Sequence, residues 1–333
     1  MYQPSLADIL ARGPAQRALH EHAADATREM FGGRVFVRAV VEVSNFCRES
    51  CRYCGMRREN RSLARFRLPF EPLAEHLLEN RPASVTEINL QAGEDPVVAR
   101  ELVLPLVRLL RRETNLGIIV CLGTLDDRLY ADLREAGAEV YIMKFEVADP
   151  DRYAALSAPG TLAERLAHIR TLARDGWLVS SGFIAGLPGQ PPEELLAGIR
   201  LAAELPLVGC SVSPFVAGPQ TPLHDAESSP AEWTFNCLAA LRRMRPDWVI
   251  PAVSALNLAA EDGYRRGLRA GANLVTINLT PTAVRDDYVI YKRDRFIMTE
   301  ARVLAALADE GLEPSPVGWV EHLSRRTPPV ATP

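Results

Sequence analysis

Short apolar runs alternate with amphipathic segments along most of the chain. The apolar runs predict eight β-strands, at residues 35–43, 85–91, 117–122, 140–146, 178–185, 208–215, 248–253 and 273–278. Helical periodicity follows them, at residues 72–79, 97–112, 126–136, 149–156, 162–174, 193–204, 231–244, 261–270 and 299–308. Strands that alternate with helices favour parallel pairing, and eight such units favour an α/β fold of the (βα)8 TIM-barrel type.

The same pattern divides the chain into three parts. Residues 1–33 predict an N-terminal helical extension, in which a Gly-Pro pair separates two helical patterns. Residues 34–320 form the predicted barrel, which includes a long polar loop at 281–295. Because the chain ends in a proline-rich stretch, we expect a disordered tail over residues 321–333.

Composition narrows the class of protein. The chain has 333 residues, of which 47% are hydrophobic and 24% charged, as in ordinary globular domains. Its net charge is −4, whereas nucleic-acid-binding proteins usually carry an excess of basic residues. No apolar run approaches the ~20 residues that span a bilayer, and the N-terminus lacks the basic start and apolar core of a signal peptide. We therefore expect a cytoplasmic protein that binds neither nucleic acid nor membrane.

Three cysteines lie in one short loop after the first predicted strand. Cys47, Cys51 and Cys54 have Cys-x3-Cys-x2-Cys spacing. Thiolates at such short spacings hold iron–sulfur clusters, and three of them leave one iron of a [4Fe-4S] cube open for a ligand. A zinc loop and a disulfide are the alternatives, but residues 55–75 hold no fourth Cys or His, and disulfides suit secreted chains better. The remaining cysteines are scattered and are interpreted as structural: Cys121, Cys210 and Cys237.

This spacing, with the aromatic Tyr53 just before the third cysteine, resembles the radical S-adenosylmethionine (SAM) superfamily. The resemblance implies two cofactors, a [4Fe-4S] cluster held by the three cysteines and SAM chelated at the open iron. It also implies that the reduced cluster cleaves SAM to a 5′-deoxyadenosyl radical. A one-electron donor such as a flavodoxin or a ferredoxin would supply the electron, and the expected substrate is a small, amino-acid-like molecule.

Residues at the carboxyl ends of the predicted strands extend this site, because TIM-barrel active sites form there. Gly93-Glu94 follows the second strand, where radical SAM enzymes commonly carry Gly-Gly-Glu, so the match is partial. Alternation along the fourth strand puts Lys144 and Glu146 on one face, where each would hold the other charged. On the resemblance, the residues expected to contact SAM are Tyr53, Gly93, Glu94, Glu146, Arg165, Ile184, Gly186 and Leu187.

Polar side chains at the far rim of the barrel are candidates for substrate binding, because small polar groups at the mouth suit a polar ligand. Each of them could instead be bonded to the backbone or packed in the interior. The substrate contacts that we expect are Asp95, Lys144, Ser213, Ser254, Asn278, Tyr288 and Tyr291.

The resemblance is to the biotin synthase-like branch of the superfamily, in the group of the [FeFe]-hydrogenase maturase HydE and the 3-methylornithine synthase PylB. It covers about residues 34–318 and is carried by the stretches 44–58, 93–96, 186–190 and 278–281. The chain departs from the group in two places. The extra C-terminal cysteine group of some maturases is absent, and Ala255 lies near the place where the PylB-like pattern has an acid.

Three functional hypotheses follow. The first is hydrogen abstraction from a small amino-acid-like substrate, followed by rearrangement, cleavage or group transfer. The second is a HydE-type maturase that acts on an organometallic iron–cysteine species. The third is a non-catalytic barrel with a redox-sensing cluster. The set Glu94, Glu146 and Arg165 argues against the third, because a bare cluster needs no SAM pocket.

Overall fold

The computed structural model describes residues 2–291 and 296–326. Its strands are β1 (Arg34–Ser44), β2 (Glu87–Ala92), β3 (Gly117–Cys121), β4 (Val140–Ile142), β5 (Leu178–Ala185), β6 (Gly209–Pro214), β7 (Leu274–Asn278) and β8 (Glu313–Pro314). Its helices are α1 (Leu6–Ile9), α2 (Gly13–Phe31), α3 (Phe70–Glu79), α4 (Pro96–Val98), α5 (Leu104–Glu113), α6 (Asp127–Ala136), α7 (Pro150–Ala155), α8 (Leu162–Arg174), α9 (Pro192–Glu204), α10 (Ala231–Met244), α11 (Leu256–Ala259), α12 (Gly263–Arg269), α13 (Thr282–Arg285), α14 (Glu300–Asp309) and α15 (Trp319–Arg326), with a π-helical turn at Ala99–Val103. None of the described helices is long and apolar enough to cross a membrane.

The described strands form one curled sheet in which neighbours run parallel. Their order is β6-β5-β4-β3-β2-β1-β7, and the short β8 pairs with the start of β1. Between β6 and β7, isolated parallel bridges join Gly209 to Val249 and Pro251 to Leu274. Parallel pairing therefore continues around the sheet through this segment. The α/β TIM-like barrel predicted from the sequence is confirmed.

The predicted strand at 248–253 is wrong as a regular strand. Its apolar pattern is real, since Trp248, Val249 and Ile250 are buried. Pro251 has no N–H to donate to a ladder, which limits the pairing to single bridges. The N–H of Ala252 still donates to the carbonyl oxygen of Leu274 over 2.9 Å, so the segment keeps its place beside β7.

Apolar side chains close the amino-terminal end of the barrel. This cluster is formed by Phe31, Phe36, Ile119, Val140, Val249, Leu274, Trp319 and Val320. The last two belong to α15, so the predicted disorder from residue 321 is wrong as far as Arg326. Burial of Trp319, which is 1% exposed, explains why this segment is ordered. Residues 327–333, and residues 292–295 of the predicted loop, lie outside the described part of the chain.

The two N-terminal helices pack on the outside of the barrel against α10. A capping box of Ser5 and Asp8 starts α1. Asn236 of α10, which is fully buried, donates from Nδ2 to the carbonyl oxygens of Ile9 (2.9 Å) and Ala11 (3.0 Å). These bonds fasten the turn between α1 and α2 to the barrel, so the helical extension that the sequence predicts is packed rather than free.

Candidate active site

A cavity of about 290 Å³ opens at the carboxyl ends of the strands. Gln91 of β2, Cys121 of β3 and Ser213 of β6 line it. The cysteine loop forms one wall, and Tyr288 and Tyr291 from the loop after α13 form another. The cavity therefore lies where a TIM barrel places its active site.

The three motif cysteines line this cavity as free thiols. Cys47, Cys51 and Cys54 lie close enough for their charges to interact. Burial raises the pKa of each thiol, to about 12 for Cys54, so all three stay neutral without a nearby cation. Bound iron supplies such a charge, because a metal-coordinating thiol is deprotonated.

The cysteine donors suit a cluster better than a single ion. Across residues 2–291 and 296–326, no three Cys, His, Asp or Glu side chains are placed to bind one metal ion. In a [4Fe-4S] cube the cysteines bind separate irons, so they stand farther apart than ligands around one zinc ion. The backbone N–H of Glu94 also donates to Sγ of Cys47 over 3.4 Å, a type of bond that tunes cluster thiolates. The residues present therefore fit a cluster with three protein ligands.

Gly93 lets the end of β2 lie directly against the cysteine loop. A Cβ at this position would stand 2.5 Å from the carbonyl oxygen of Phe46 and 2.8 Å from Cβ of Cys47. The absence of a side chain is thus explained by contact between two protein segments. A contact of Gly93 with SAM stays a prediction.

Glu94 and Arg165 form a buried ion pair beside the cysteine loop. Nη2 of Arg165 donates to Oε1 of Glu94 over 2.9 Å, and the two side chains are 5% and 6% exposed. The other carboxylate oxygen, Oε2, accepts the N–H of Thr124 over 2.8 Å. Burial lowers the pKa of Arg165, but Glu94 and Tyr153 together outweigh it through their charges and hydrogen bonds, and the net shift is upward. The two predicted SAM contacts are therefore linked to each other, and both line the cavity.

Gly123 and Thr124 are site residues that the sequence reasoning missed. Gly123 has φ +71°, and a Cβ there would collide with the carboxylate of Glu94. Thr124 receives Nη1 of Arg165 on its Oγ1 over 3.1 Å. The signal in the sequence was the glycine just after β3, a position where a positive φ is expected at a strand end.

Lys144 and Glu146 are paired, as predicted. Nζ of Lys144 lies 3.2 Å from Oε2 of Glu146 and donates to Oγ of Ser213 over 3.3 Å. Burial lowers the pKa of Lys144, but Glu146, Tyr291 and Cys121 together raise it by more, so the net shift is upward and the ammonium is retained. The reason given for the pairing was wrong, because β4 ends at Ile142 and Glu146 has φ +62°. A non-glycine residue in that region carries roughly 1 kcal/mol or more of strain.

The turn after β5 packs behind the cavity wall, on the side away from the cavity. Gly186 has φ +90°, and its N–H donates to Oε1 of Gln190 over 2.8 Å. Leu187 donates its N–H to the same oxygen over 3.2 Å and is fully buried. Ile184 lines the cavity, whereas Gly186 and Leu187 lie outside its walls. Of these three predicted SAM contacts, the structure brings Ile184 to the site.

Asp95 does not line the cavity, because its carboxylate is held by other protein groups, and its role in substrate binding stays a prediction. Arg67 donates two hydrogen bonds to its carboxylate, from Nη2 to Oδ1 over 2.9 Å and from Nε to Oδ2 over 2.8 Å. Oδ2 also accepts the hydroxyl of Ser44 over 2.7 Å, and Oδ1 accepts the N–H of Val98 to cap α4. The carboxylate therefore joins β1, α4 and the segment after the cysteine loop.

Ser254 and Asn278 do not line the cavity either, and their contact with the substrate stays a prediction. Ser254 is exposed and lies outside the cavity, where Pro251 and Val253 form the wall instead. Asn278 uses Oδ1 to accept the N–H of Thr280 over 2.9 Å, and it does not line the cavity. Ser254 follows the irregular segment around Pro251, and Asn278 is the last residue of β7.

Tyr288 and Tyr291 do line the cavity, as predicted. The hydroxyl of Tyr288 accepts Nε2 of Gln91 over 3.1 Å, and its ring packs on Met56 from the cysteine loop. Gly55 makes this packing possible, since a Cβ there would stand 2.5 Å from the carbonyl oxygen of Val289. The loop after α13 thus packs directly against the cysteine loop.

A deeper polar layer was not anticipated. It contains Arg38, Asn89, Cys121, Ser180 and Ser211. Arg38 donates from Nε to Oγ1 of Thr276 over 3.0 Å, and no carboxylate of the described residues lies within 4.0 Å of it. Burial lowers the pKa of Arg38 and raises the pKa of Cys121 to about 11. Cys121, interpreted as structural, is therefore a wall residue, and the single arginine within the first apolar run was the signal for this layer.

Comparison with known proteins identifies the family. The model of the radical SAM superfamily matches residues 41–202. The [FeFe] hydrogenase maturase subunit HydE of Thermotoga maritima is 31% identical over 82% of this chain and 78% of that protein. The chain belongs to the radical SAM superfamily. The family implies SAM and an iron–sulfur cluster as cofactors, and the matched relatives are enzymes, so the non-catalytic hypothesis is set aside.

Two further relatives place this radical SAM enzyme more closely. The 3-methylornithine synthase of Methanosarcina acetivorans is 28% identical over 89% of this chain and 84% of that protein. The crystal structure of methylornithine synthase (PylB) superposes with a TM-score of 0.84 and 24% identity, over 98% of this chain and 97% of that one. The predicted resemblance to the HydE and PylB group is confirmed, and the PylB structure shows the shared fold.

Proposed function

We propose that Cys47, Cys51 and Cys54 hold a [4Fe-4S] cluster and that the enzyme acts on a small amino-acid-like substrate. Bound cluster and SAM together supply a 5′-deoxyadenosyl radical, which abstracts a hydrogen atom from that substrate. The observation that carries the proposal is the single cavity in which the three thiols meet both the Glu94–Arg165 pair and Lys144. Rearrangement or bond cleavage of the substrate would follow.

The pair Glu94 and Arg165 is proposed to orient SAM. A carboxylate and a guanidinium next to the cysteine loop match the amino and carboxylate groups of a methionine moiety. The pair is already desolvated, so it is preorganised for a zwitterionic ligand. Glu146 and Tyr53, which also line the cavity, complete the proposed SAM site.

The substrate is proposed to carry an anionic group, because two cations face the inner half of the cavity. Lys144 is held by Glu146 and Ser213, while Arg38 lies deeper with a neutral partner in Thr276. A half-buried cation with no carboxylate within 4.0 Å favours a bound anion, since only more distant groups such as Glu87 act on its charge. A carboxylate between these groups would fix the reacting carbon below the SAM site.

A one-electron donor is proposed to dock over the cysteine loop. Residues 47–65 contain six arginines and two glutamates, in a chain with a net charge of −4. Arg48, Arg52, Arg58 and Arg61 are exposed there. A positive surface close to the electron acceptor attracts an acidic carrier such as a flavodoxin or a ferredoxin. With this partnership goes the proposal of a cytoplasmic location, because thiols stay reduced there.

Deuterium transfer tests the proposed substrate class. The reconstituted enzyme would be incubated anaerobically with SAM, dithionite and perdeuterated amino acids, one at a time. We expect deuterium in the 5′-deoxyadenosine formed with at least one amino acid, and none with the matching deuterated amine that lacks the carboxylate. Equal transfer from acid and amine would contradict the proposed carboxylate contact with Lys144 and Arg38.

A HydE-type maturase is the second candidate, favoured by the same cations and by the 31% identity to a maturase subunit. An iron–cysteine species with anionic ligands would also be held by Arg38 and Lys144. Ala255 is fully buried and the wall beside it is formed by Pro251 and Val253, which supports a substrate other than that of 3-methylornithine synthase. The deuterium experiment separates the candidates, because a maturase would label 5′-deoxyadenosine from no free amino acid.

A further inference from the structure

One arginine ties together the backbone on both sides of the cysteine loop. Nη1 of Arg65 donates to the carbonyl oxygens of Asn45 (2.5 Å) and Met56 (2.9 Å). Nη2 donates to those of Arg57 (2.7 Å) and Asn60 (3.3 Å). The guanidinium thus makes four hydrogen bonds, all to main-chain acceptors.

These acceptors bracket the three cysteines. Asn45 lies two residues before Cys47, and Met56 lies two residues after Cys54. The fork of the guanidinium spans the entry and the exit of the loop, so it fixes the distance between them. A lysine cannot reproduce this arrangement, because its ammonium is a single point of attachment.

The charge of Arg65 distinguishes it from its neighbours. Arg57 and Arg58 lie 3.2 Å from oxygens of Glu59, and Arg67 is paired with Asp95. In the described chain, no carboxylate lies within 4.0 Å of Arg65. Burial lowers its pKa, and Cys47 and Cys54 oppose that shift in their thiolate forms, which are the forms that bind iron. A guanidinium stays protonated in such a setting, so its positive charge is directed at the cluster ligands.

We propose that Arg65 is a positioning residue for the cluster, which holds the cysteine loop in its ligating geometry and raises the reduction potential of the bound cluster. The inference rests on the cluster assignment made above. Reduction adds one electron from the external donor to the cluster, and a fixed positive charge beside two of its three thiolates stabilises the more negative state. Dense hydrogen bonding of the loop backbone limits its reorganisation during that transfer.

Two substitutions separate the effect of the charge of Arg65 from the effect of its four hydrogen bonds to the loop backbone. Arg65→Gln removes the charge and most of the hydrogen bonds that the guanidinium makes. Arg65→Lys keeps the charge but loses the paired hydrogen bonds. Arg61→Gln is the matched control, since Arg61 lies in the same segment and is exposed. Each variant and the native enzyme would be reconstituted anaerobically. Iron and sulfide content, the rate of iron loss to a chelator, and the midpoint potential from an EPR-monitored redox titration would be measured.

We expect a more negative midpoint potential for Arg65→Gln than for Arg61→Gln or the native enzyme. Arg65→Lys should keep a potential close to the native value but lose iron to the chelator several-fold faster. If Arg65→Gln fails to assemble a cluster, the comparison of Arg65→Lys with Arg61→Gln still tests whether the hydrogen bonds of Arg65 hold the cysteine loop in place. Iron loss from Arg65→Lys at the control rate, or a native potential in Arg65→Gln, would overturn the inference. A native chain that assembles no cluster would instead overturn the proposed function.

Discussion

Glu94 and Arg165 are 71 residues apart in the sequence, and Oε1 of one lies 2.9 Å from Nη2 of the other. The pair joins the end of β2 to α8 across the mouth of the barrel. Its position also depends on Thr124, which contacts both side chains after β3. Three βα units therefore meet at one ion pair beside the cysteine loop. Loss of this ion pair should lower both the stability of the protein and its affinity for SAM.

Glu94→Gln should lower the free energy of unfolding by about 3 kcal/mol, because it leaves the buried guanidinium of Arg165 without a counterion. Urea denaturation of the protein without cofactors would measure this. The exposed pair Arg174 and Asp175 provides the control, and Asp175→Asn should cost less than ~1 kcal/mol. Equal losses in the two variants would show that the Glu94–Arg165 pair contributes no more than a surface pair.

Gly123→Ala should displace the carboxylate of Glu94 and reduce SAM cleavage at least about tenfold, or ~1.4 kcal/mol. Gly176→Ala is the matched control, because Gly176 also has a positive φ, of 87°, but has open space around its Cα. Both variants should lose about 1 kcal/mol of stability through backbone strain. 5′-Deoxyadenosine formation at equal cluster loading is the measurement. Similar activities in both variants would refute the proposed role of Gly123 in placing Glu94.

Arg52→Glu should raise the KM for a flavodoxin or ferredoxin donor several-fold, since it reverses a charge on the exposed cysteine loop. The effect should shrink at high salt, because exposed charges are screened. Arg112→Glu, at the end of α5 on the far side of the barrel, is the control and should leave the KM unchanged. With dithionite as the reductant, both variants should match the native rate. A loss with dithionite would assign Arg52 a role other than donor docking.

Glu87 should make stability depend on pH. Burial raises the pKa of Glu87 to about 7, although bonds from Thr86 and from the backbone of Trp319 and Val320 oppose the shift. Since the folded pKa lies above the unfolded value, the stabilisation that its proton provides is complete below about pH 4.5 and is lost as the pH rises through 7.

Glu87→Gln removes this ionisation. The unfolding free energy of the variant minus that of the native chain should therefore rise by about 2 kcal/mol between pH 5 and pH 8. Thermal and urea denaturation over this range would measure the difference. Glu113→Gln, at an exposed position, should show a constant difference. A constant difference for Glu87→Gln as well would mean that Glu87 does not titrate in this window.

The sequence was sufficient for features that depend on neighbouring residues. The spacing of Cys47, Cys51 and Cys54 placed the cluster loop, and the strand–helix alternation predicted the barrel, because both follow from local pattern. Lys144 and Glu146 were paired correctly for a wrong reason, since two residues so close can meet through a left-handed turn as well as through strand alternation.

The sequence was insufficient where distant segments decide the outcome. Asp95 looked like a ligand-binding acid, but Ser44 and Arg67, which flank the cysteine loop in the sequence, both donate hydrogen bonds to it. Arg38 looked like part of an apolar strand, and its place in the cavity depends on the inward face of a closed sheet. Helix α15 was missed because its burial against the floor of the barrel cannot be read from its own residues.

The formation of 5′-deoxyadenosine tests the central claim most directly. The native chain and Cys51→Ala would each be reconstituted anaerobically with iron and sulfide, then given SAM and dithionite. We expect 5′-deoxyadenosine from the native chain and none above background from Cys51→Ala, because that variant keeps two of the three cluster ligands. Absence of product from a fully loaded native enzyme, or equal product from both proteins, would contradict the central claim.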